Sequence, residues 1–220
     1  MSVYTLISTE VPYISPLRTI RDGLKMMEKH LLECLPVVVE QTQQYVGIAT
    51  YSQLYSEPTQ KKLIDSIPLD NIHASETHNI INVLAIMSQY KYTILPFVDN
   101  QNIYKGCITQ QAVIDEMSTI TSANLPGGVI ELESDVKDFS PAIIAGITEN
   151  NSMKISSMMS QPHGAHGVRA IIKLNGNETS SVIQVLERQG YNIKKVHNGD
   201  SKYSNMLEEH YNALVRFMEV

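Results

Sequence analysis

Apolar residues first fall into a helical rhythm at Ile20, Leu24 and Met27, three and four positions apart. A continuous apolar run follows, Leu35-Pro36-Val37-Val38-Val39, too short for a helix and suited to a buried strand. A polar stretch from Gln41 to Gln44 predicts a turn, and Tyr45 to Thr50 predicts a second strand. A helix is predicted from Tyr51 to Tyr55 or beyond. The whole pattern then returns. Ile80, Leu84 and Met87 repeat the helical face at an offset of 60, and Leu95-Pro96-Phe97-Val98-Asp99 repeats the strand. Gly47-Ile48-Ala49-Thr50 returns as Gly106-Cys107-Ile108-Thr109 at an offset of 59, one residue having been lost in the polar turn, where a deletion costs least. A last helix of the second copy is predicted over Gln110–Met117.

Each copy is a helix–strand–strand–helix unit with more apolar surface than it can hide alone. Two such units back to back bury each other's sheets. The stretch from Ser118 to Gly128 is rich in small polar residues, Pro and Gly, and marks a joint.

Beyond the joint the pattern changes. Val129, Ile130 and Leu132 predict a strand with Glu131 and Glu133 outward. Pro141 opens a helix whose apolar face is Ile143, Ile144 and Ile147. Met153, Ile155 and Met158 alternate as a strand, and Val168–Leu174 is another. Val182, Ile183, Val185 and Leu186 form a helix face ended by Gly190, and Tyr191–Val196 is a fourth strand. The order is βαββαβ, the ferredoxin-like arrangement. In the tail, Leu207, Tyr211, Leu214 and Met218 share one helical face, with Asn205 as its cap and a dimer contact as one use.

Composition narrows the function. The 220 residues carry 17 Lys+Arg against 23 Asp+Glu, a net charge of −6, which argues against a nucleic-acid or anionic-membrane surface as the main business. Trp is absent and Phe occurs three times, so base-stacking platforms are poorly supplied. Neither central strand of the βαββαβ unit carries the aromatic residues of an RNA-recognition domain. Cys34 and Cys107 sit beside apolar runs and read as reduced and structural, and the compartment as cytoplasmic. The first ten residues lack the basic and apolar regions of a signal peptide, and no run reaches the roughly 20 apolar residues of a membrane span.

The doubled Leu-Pro…Gly-x-x-Thr pattern resembles the CBS domain, which occurs in tandem, over about residues 1–118 (first repeat 1–60, second 61–118). The resemblance implies an α+β fold: two β-α-β-β-α repeats in a pseudo-twofold pair with two clefts, where many members bind adenosine nucleotides. In the family pattern Gly-x-x-Thr/Ser-x-x-Asp the hydroxyl meets phosphate at a helix N-terminus and the Asp takes the ribose hydroxyls. Thr50 and Thr109 match the hydroxyl, whereas Gln53 and Ala112 stand at the Asp position. Gln53 can accept one ribose hydrogen bond; Ala112 cannot. Thr50 and Gln53 also form a capping box, a purely structural use of the same two residues. The resemblance adds Ser15, Pro16 and Ser75-Glu76 as cleft contacts. An anion there calls for a cation, with Arg18, Arg21 and Lys105 as candidates by position. AMP, ADP, ATP and S-adenosylmethionine are the ligands implied, with no cofactor.

After a linker at 119–127, residues 128–198 resemble an ACT domain, a regulatory module that often binds amino acids, and residues 199–220 add the C-terminal helix. The resemblance rests on Asp138-Phe139-Ser140-Pro141-Ala142 and the strand after the helix, and makes Asp138, Ser140 and Ala142 the effector-binding candidates. Ala142 stands near where the family usually has Gly. The domain order is similar to that of the acetoin-utilisation regulatory protein type.

The expectation is a homodimeric, non-catalytic ligand sensor, with a structural interaction protein bearing vestigial clefts as the alternative. No Walker loop, GxGxxG or GxSxG is present, and no carboxylate pair is recognisable. His163-Gly164-Ala165-His166 lacks the Glu of H-E-x-x-H and reads as a loop between strands rather than a metal site. The ten methionines read as core gap-fillers.

Overall fold

The computed structural model describes residues 3–65 and 67–197. They form two compact units divided between Met117 and Ser118. The predicted helix over 199–220 lies outside the described residues.

In the first unit the duplication holds down to single backbone angles. Helix α1 (Ile20–His30) starts at Thr19, whose hydroxyl accepts from the Asp22 N–H while the Asp22 carboxylate accepts from the Thr19 N–H. Sixty residues on, α3 (Ile80–Tyr90) starts at Asn79 with the same reciprocal pair to Asn82. Both helices end on a left-handed residue, Leu31 at φ 54° and Lys91 at φ 55°. The buried face is not quite the predicted one. Ile20, Gly23 and Met27 are buried in α1, and Val83 and Met87 in α3, while Leu24 is half-buried and Leu84 is exposed. In both copies the face is turned by one position, to Gly23 in α1 and Val83 in α3, and Gly23 packs closely against Leu54.

Each copy then forms an antiparallel pair: β2 (Cys34–Val39) with β3 (Gln44–Thr50), and β4 (Ile94–Val98) with β5 (Tyr104–Thr109). Both pairs carry a bulge at the same place, between Val37 and Val38 and between Phe97 and Val98. A parallel bridge adds Ile14 beside Val37 and Ala74 beside Phe97, again 60 residues apart. The apolar runs are continuous because both sheet faces are covered. Leu35, Val37 and Ala49 pack under their own helices; Leu95, Phe97 and Ile108 do likewise in the second copy. Cys34, Val38, Tyr45, Ile48, Ile94, Tyr104 and Cys107 fill a third cluster between the two sheets.

The sequence pattern does not announce the exchange that locks the copies together. A short strand, β1 (Ile7–Ser8), pairs with β5 of the second copy, Ile7 opposite Ile108. In return Asp70, which leads into the second copy, bridges Ile48 of the first. Helix α2 spans only Tyr51–Tyr55, the short end of the predicted range, while α4 runs Gln110–Ile120, into the expected linker.

The second unit has the predicted order: β6 (Val129–Asp135), α5 (Pro141–Asn150), β7 (Ile155–His163), β8 (Gly167–Leu174), α6 (Ser180–Arg188) and β9 (Asn192–His197). Its four strands lie in the order β7-β8-β6-β9 with all neighbours antiparallel, the ferredoxin-like sheet. Both helices cover one face, where Ile130, Leu132, Ile144, Ile172, Val182 and Leu186 form the core. Ile143, expected in that core, is instead half exposed on α5, and Met153 precedes β7 rather than belonging to it. Ser140 caps α5, its hydroxyl accepting from the Ile143 N–H, with Pro141 in the first turn. Glu131 and Glu133 lie on the sheet face away from the helices, as the alternation predicts.

Candidate functional site

The antiparallel hairpins bring the end of β3 to the start of β2, so the start of α2 sits beside the end of α1. The Tyr51 N–H donates to the Glu33 carbonyl and fixes that joint at 2.8 Å; the Gln110 N–H does the same to Thr93 in the second copy. Between the α1–β2 and β3–α2 joints of the first repeat and the α3–β4 joint of the second lies a cavity of about 590 Å³. That size suits a small organic ligand. Met27, Leu31, Leu32 and Cys34 line it with apolar surface. Thr50, Tyr51 and Ser52 face it from one side, and Tyr90, Lys91 and Tyr92 from the other. Glu28 and Glu33 set two carboxylates against the one lysine.

Its polar groups are ordered locally. The Thr50 N–H and hydroxyl both donate to Gln53 Oε1 at 2.9 Å, and the Gln53 N–H donates back to Thr50 Oγ1 at 3.4 Å. The Gln53 amide Nε2 reaches the Pro68 carbonyl at 3.4 Å. Thr50 Oγ1 also lies 3.2 Å from Ser52 Oγ. The rings of Tyr90 and Tyr92 stack with centroids 5.6 Å apart. Burial, reinforced by the Asp70 carboxylate it hydrogen-bonds, pushes the Tyr92 phenol up to about 12. Burial also pushes the Cys34 thiol to about 11 and the Cys107 thiol to about 12, so both stay protonated at neutral pH and neither is poised as a nucleophile.

The structure separates residues that the sequence grouped. Thr50 lines the cavity just described, with Gln53 hydrogen-bonded to it. Ser15 and Arg18 line a different one, beside Tyr13 and α1, at the far end of the same hairpin. Pro16 is buried, its carbonyl accepting from the Ile64 N–H. Thr109 caps α4, accepting from the Ala112 N–H at 3.1 Å, and Ala112 returns nothing. Ser75 binds its own turn through His78. Lys105 is paired with Asp99 at 2.8 Å. Tyr90, Lys91 and Tyr92 were not legible as site residues, because only the packing of one repeat on the other carries them to Thr50.

In the second unit the Tyr191 phenol holds the loop before α5, accepting from the Ser140 N–H at 3.2 Å and lying 3.3 Å from the Asp138 carbonyl. Asp138 borders a hollow of about 370 Å³ with Glu133, Asp135 and His163; Ser140 and Ala142 are not part of its wall. Ser140 is occupied as the helix cap and Ala142 is exposed. His163 Nε2 lies 3.2 Å from Glu133, which also takes Arg169 at 2.6 Å and Lys194 at 3.0 Å. Among the described residues no group of three or more His, Cys, Asp or Glu could hold a metal ion, and no helix is long and apolar enough to cross a membrane.

The fold is thus α+β: two repeated units, each with a helix, an antiparallel strand pair and a second helix, followed by a ferredoxin-like domain. Residues 3–58, the first repeat, match the family model of the CBS domain. A CBS domain pair/ACT domain protein from Thermotoga maritima is similar at 18% identity, covering 53% of this chain and 96% of that one with a TM-score of 0.49. The CBS domains of a transcriptional regulator from Streptococcus pneumoniae are similar at 20% identity over 52% of this chain and 98% of theirs, with a TM-score of 0.47. CBSX2, solved in complex with AMP, is similar at 15% identity over 53% of this chain and 95% of its own, with a TM-score of 0.46.

Proposed function

We propose that this protein is a non-catalytic regulatory sensor whose repeat pair binds an adenosine nucleotide between the Thr50 and Tyr92 joints. The observation that carries the reading is the cavity of about 590 Å³ walled by both repeats, because a ligand there touches both and can bias their packing. Three tyrosines and the Thr50 and Ser52 hydroxyls suit a flat base and a sugar. Glu28 and Glu33 against Lys91 give little attraction for extra phosphates, so AMP, ADP and ATP bind with similar strength. The second unit reads out the shift, or takes a second effector at the hollow beside Asp138. That hollow is acidic and favours an ammonium group over a carboxylate. The sensor works as a homodimer in the cytoplasm.

Melting of the purified protein with AMP, ADP, ATP or adenosine tests the reading. Saturation at 100 times Kd adds roughly 2.7 kcal/mol of stability. Ser52→Arg, which fills the cavity mouth from an exposed position, abolishes the shift while leaving the ligand-free melt in place. An absence of any shift with all four ligands rejects nucleotide sensing.

A second reading is favoured by one observation. Gln53, at the place of the ribose-binding Asp, is committed through Oε1 to Thr50 and through Nε2 to Pro68. On that reading the cleft is vestigial and the pair is an interaction module. Nucleotide recovered by mass spectrometry from natively purified protein rejects it.

A further inference from the structure

The duplication supplies an internal control for the fold, and one feature breaks it. Along the outer flank of α1 a second cavity of about 380 Å³ is lined by Ser15, Arg18, Lys25, Lys29 and His30. At the same positions in the second repeat, 60 residues on, stand Ser75, His78, Ala85, Gln89 and Tyr90. The helix, its cap and its left-handed end are the same in both copies, so the fold does not require the three cations. Two acidic groups border the groove, Asp22 and Glu40. Asp22 is held by the Thr19 hydroxyl and N–H, which keep its carboxyl below the usual range, with Arg18 and Lys25 adding to the effect at longer reach. Among the described residues none of Arg18, Lys25 and Lys29 is paired in a salt bridge. A protein with a net charge of −6 thus concentrates on one groove three unpaired cations that the matching positions of its twin lack, beside a serine that both copies keep.

We infer that this α1 groove is a binding site for a phosphate-bearing small molecule, distinct from the cleft beside Thr50. Lys25 and Lys29, one helical turn apart, face the same phosphates from α1, and Arg18 with Ser15 closes the other side. The volume admits a diphosphate or a compact phosphorylated metabolite.

The test is titration calorimetry of the full chain with sodium pyrophosphate at low salt. The probe variant is Lys25→Ala/Lys29→Gln, which copies the residues of the second repeat onto two exposed positions and keeps the fold. The control is Lys137→Ala/Lys154→Ala, which removes the same charge from the other unit. Pyrophosphate is expected to bind the unmodified protein, to bind the probe variant at least about tenfold more weakly, and to bind the control unchanged. Arg18→Ala, made separately, weakens it in the same direction. No binding to the unmodified protein at about 10 mM pyrophosphate, or equal loss in probe and control, overturns the inference. Adenosine, which carries no phosphate, reads the Thr50 cleft alone, so failure of either site is seen independently of the other.

Discussion

Gly106 lies directly beneath the backbone of Ser8: a Cβ at Gly106 would sit 2.6 Å from the Ser8 carbonyl oxygen and 2.6 Å from Ile7 Cγ2. Gly47 stands in the same relation to the other exchanged segment, 3.0 Å from the Asp70 carbonyl oxygen and 2.7 Å from Leu69 Cβ. The glycines of the Gly-x-x-Thr pattern therefore let each repeat's lead-in segment cross the other's sheet. The Thr of the same pattern caps the next helix. Two functions that look like one motif in the sequence are separate in space.

Gly106→Ala is expected to destabilise the first unit by about 2 kcal/mol or more, since it combines backbone contact with a φ of 136°. Gly146→Ala is the contrast. It lies inside α5 with nothing within 4 Å of a new Cβ, and should stabilise by about 0.5–1 kcal/mol. Urea denaturation of both variants checks the pair; a neutral Gly106→Ala refutes the crossing as a structural requirement.

Glu133 predicts an acid-sensitive second unit. Arg169 first, then Lys194, with His163 nearby, hold its carboxyl below the ordinary value near 4.5. A carboxylate whose folded pKa is depressed stabilises above its unfolded pKa. That contribution fades as pH falls from about 4.5 through the folded value. Melting temperature followed from pH 7 to pH 3 should therefore drop less steeply in Glu133→Gln than in the unmodified protein. Parallel curves remove Glu133 from the account.

The two thiols should be silent in the native state. Both are buried, Cys34 at the wall of the first cavity and Cys107 between the sheets, and pushed to about 11 and about 12, so the thiolate fraction at pH 8 is small. Thiol titration with a chromogenic disulfide is expected to show two slow groups in native buffer and two fast ones in guanidinium. Rapid native reaction of either would contradict the packing of the intersheet cluster.

Much of this protein was legible along the chain. The repeat at offset 60 predicted both hairpins and both first helices, because strands buried on two faces are continuously apolar and a helix repeats its apolar positions every three or four residues. The βαββαβ order of the second half followed from the same periodicities, and Ser140-Pro141 marked a helix start by local chemistry alone. The site was less legible. The family resemblance grouped Ser15 and Pro16 with Thr50, and Arg18 joined them as a cation by position, yet Ser15 and Arg18 line a different cavity from Thr50. The neighbours Thr50 does acquire, Tyr90 to Tyr92, come from the other repeat. Pattern reports what one segment must bury. The exchange of β1 and Asp70 between copies, the cavity at the joints and the uneven charge around α1 depend on which surfaces meet, and only the packing of the repeats decides that.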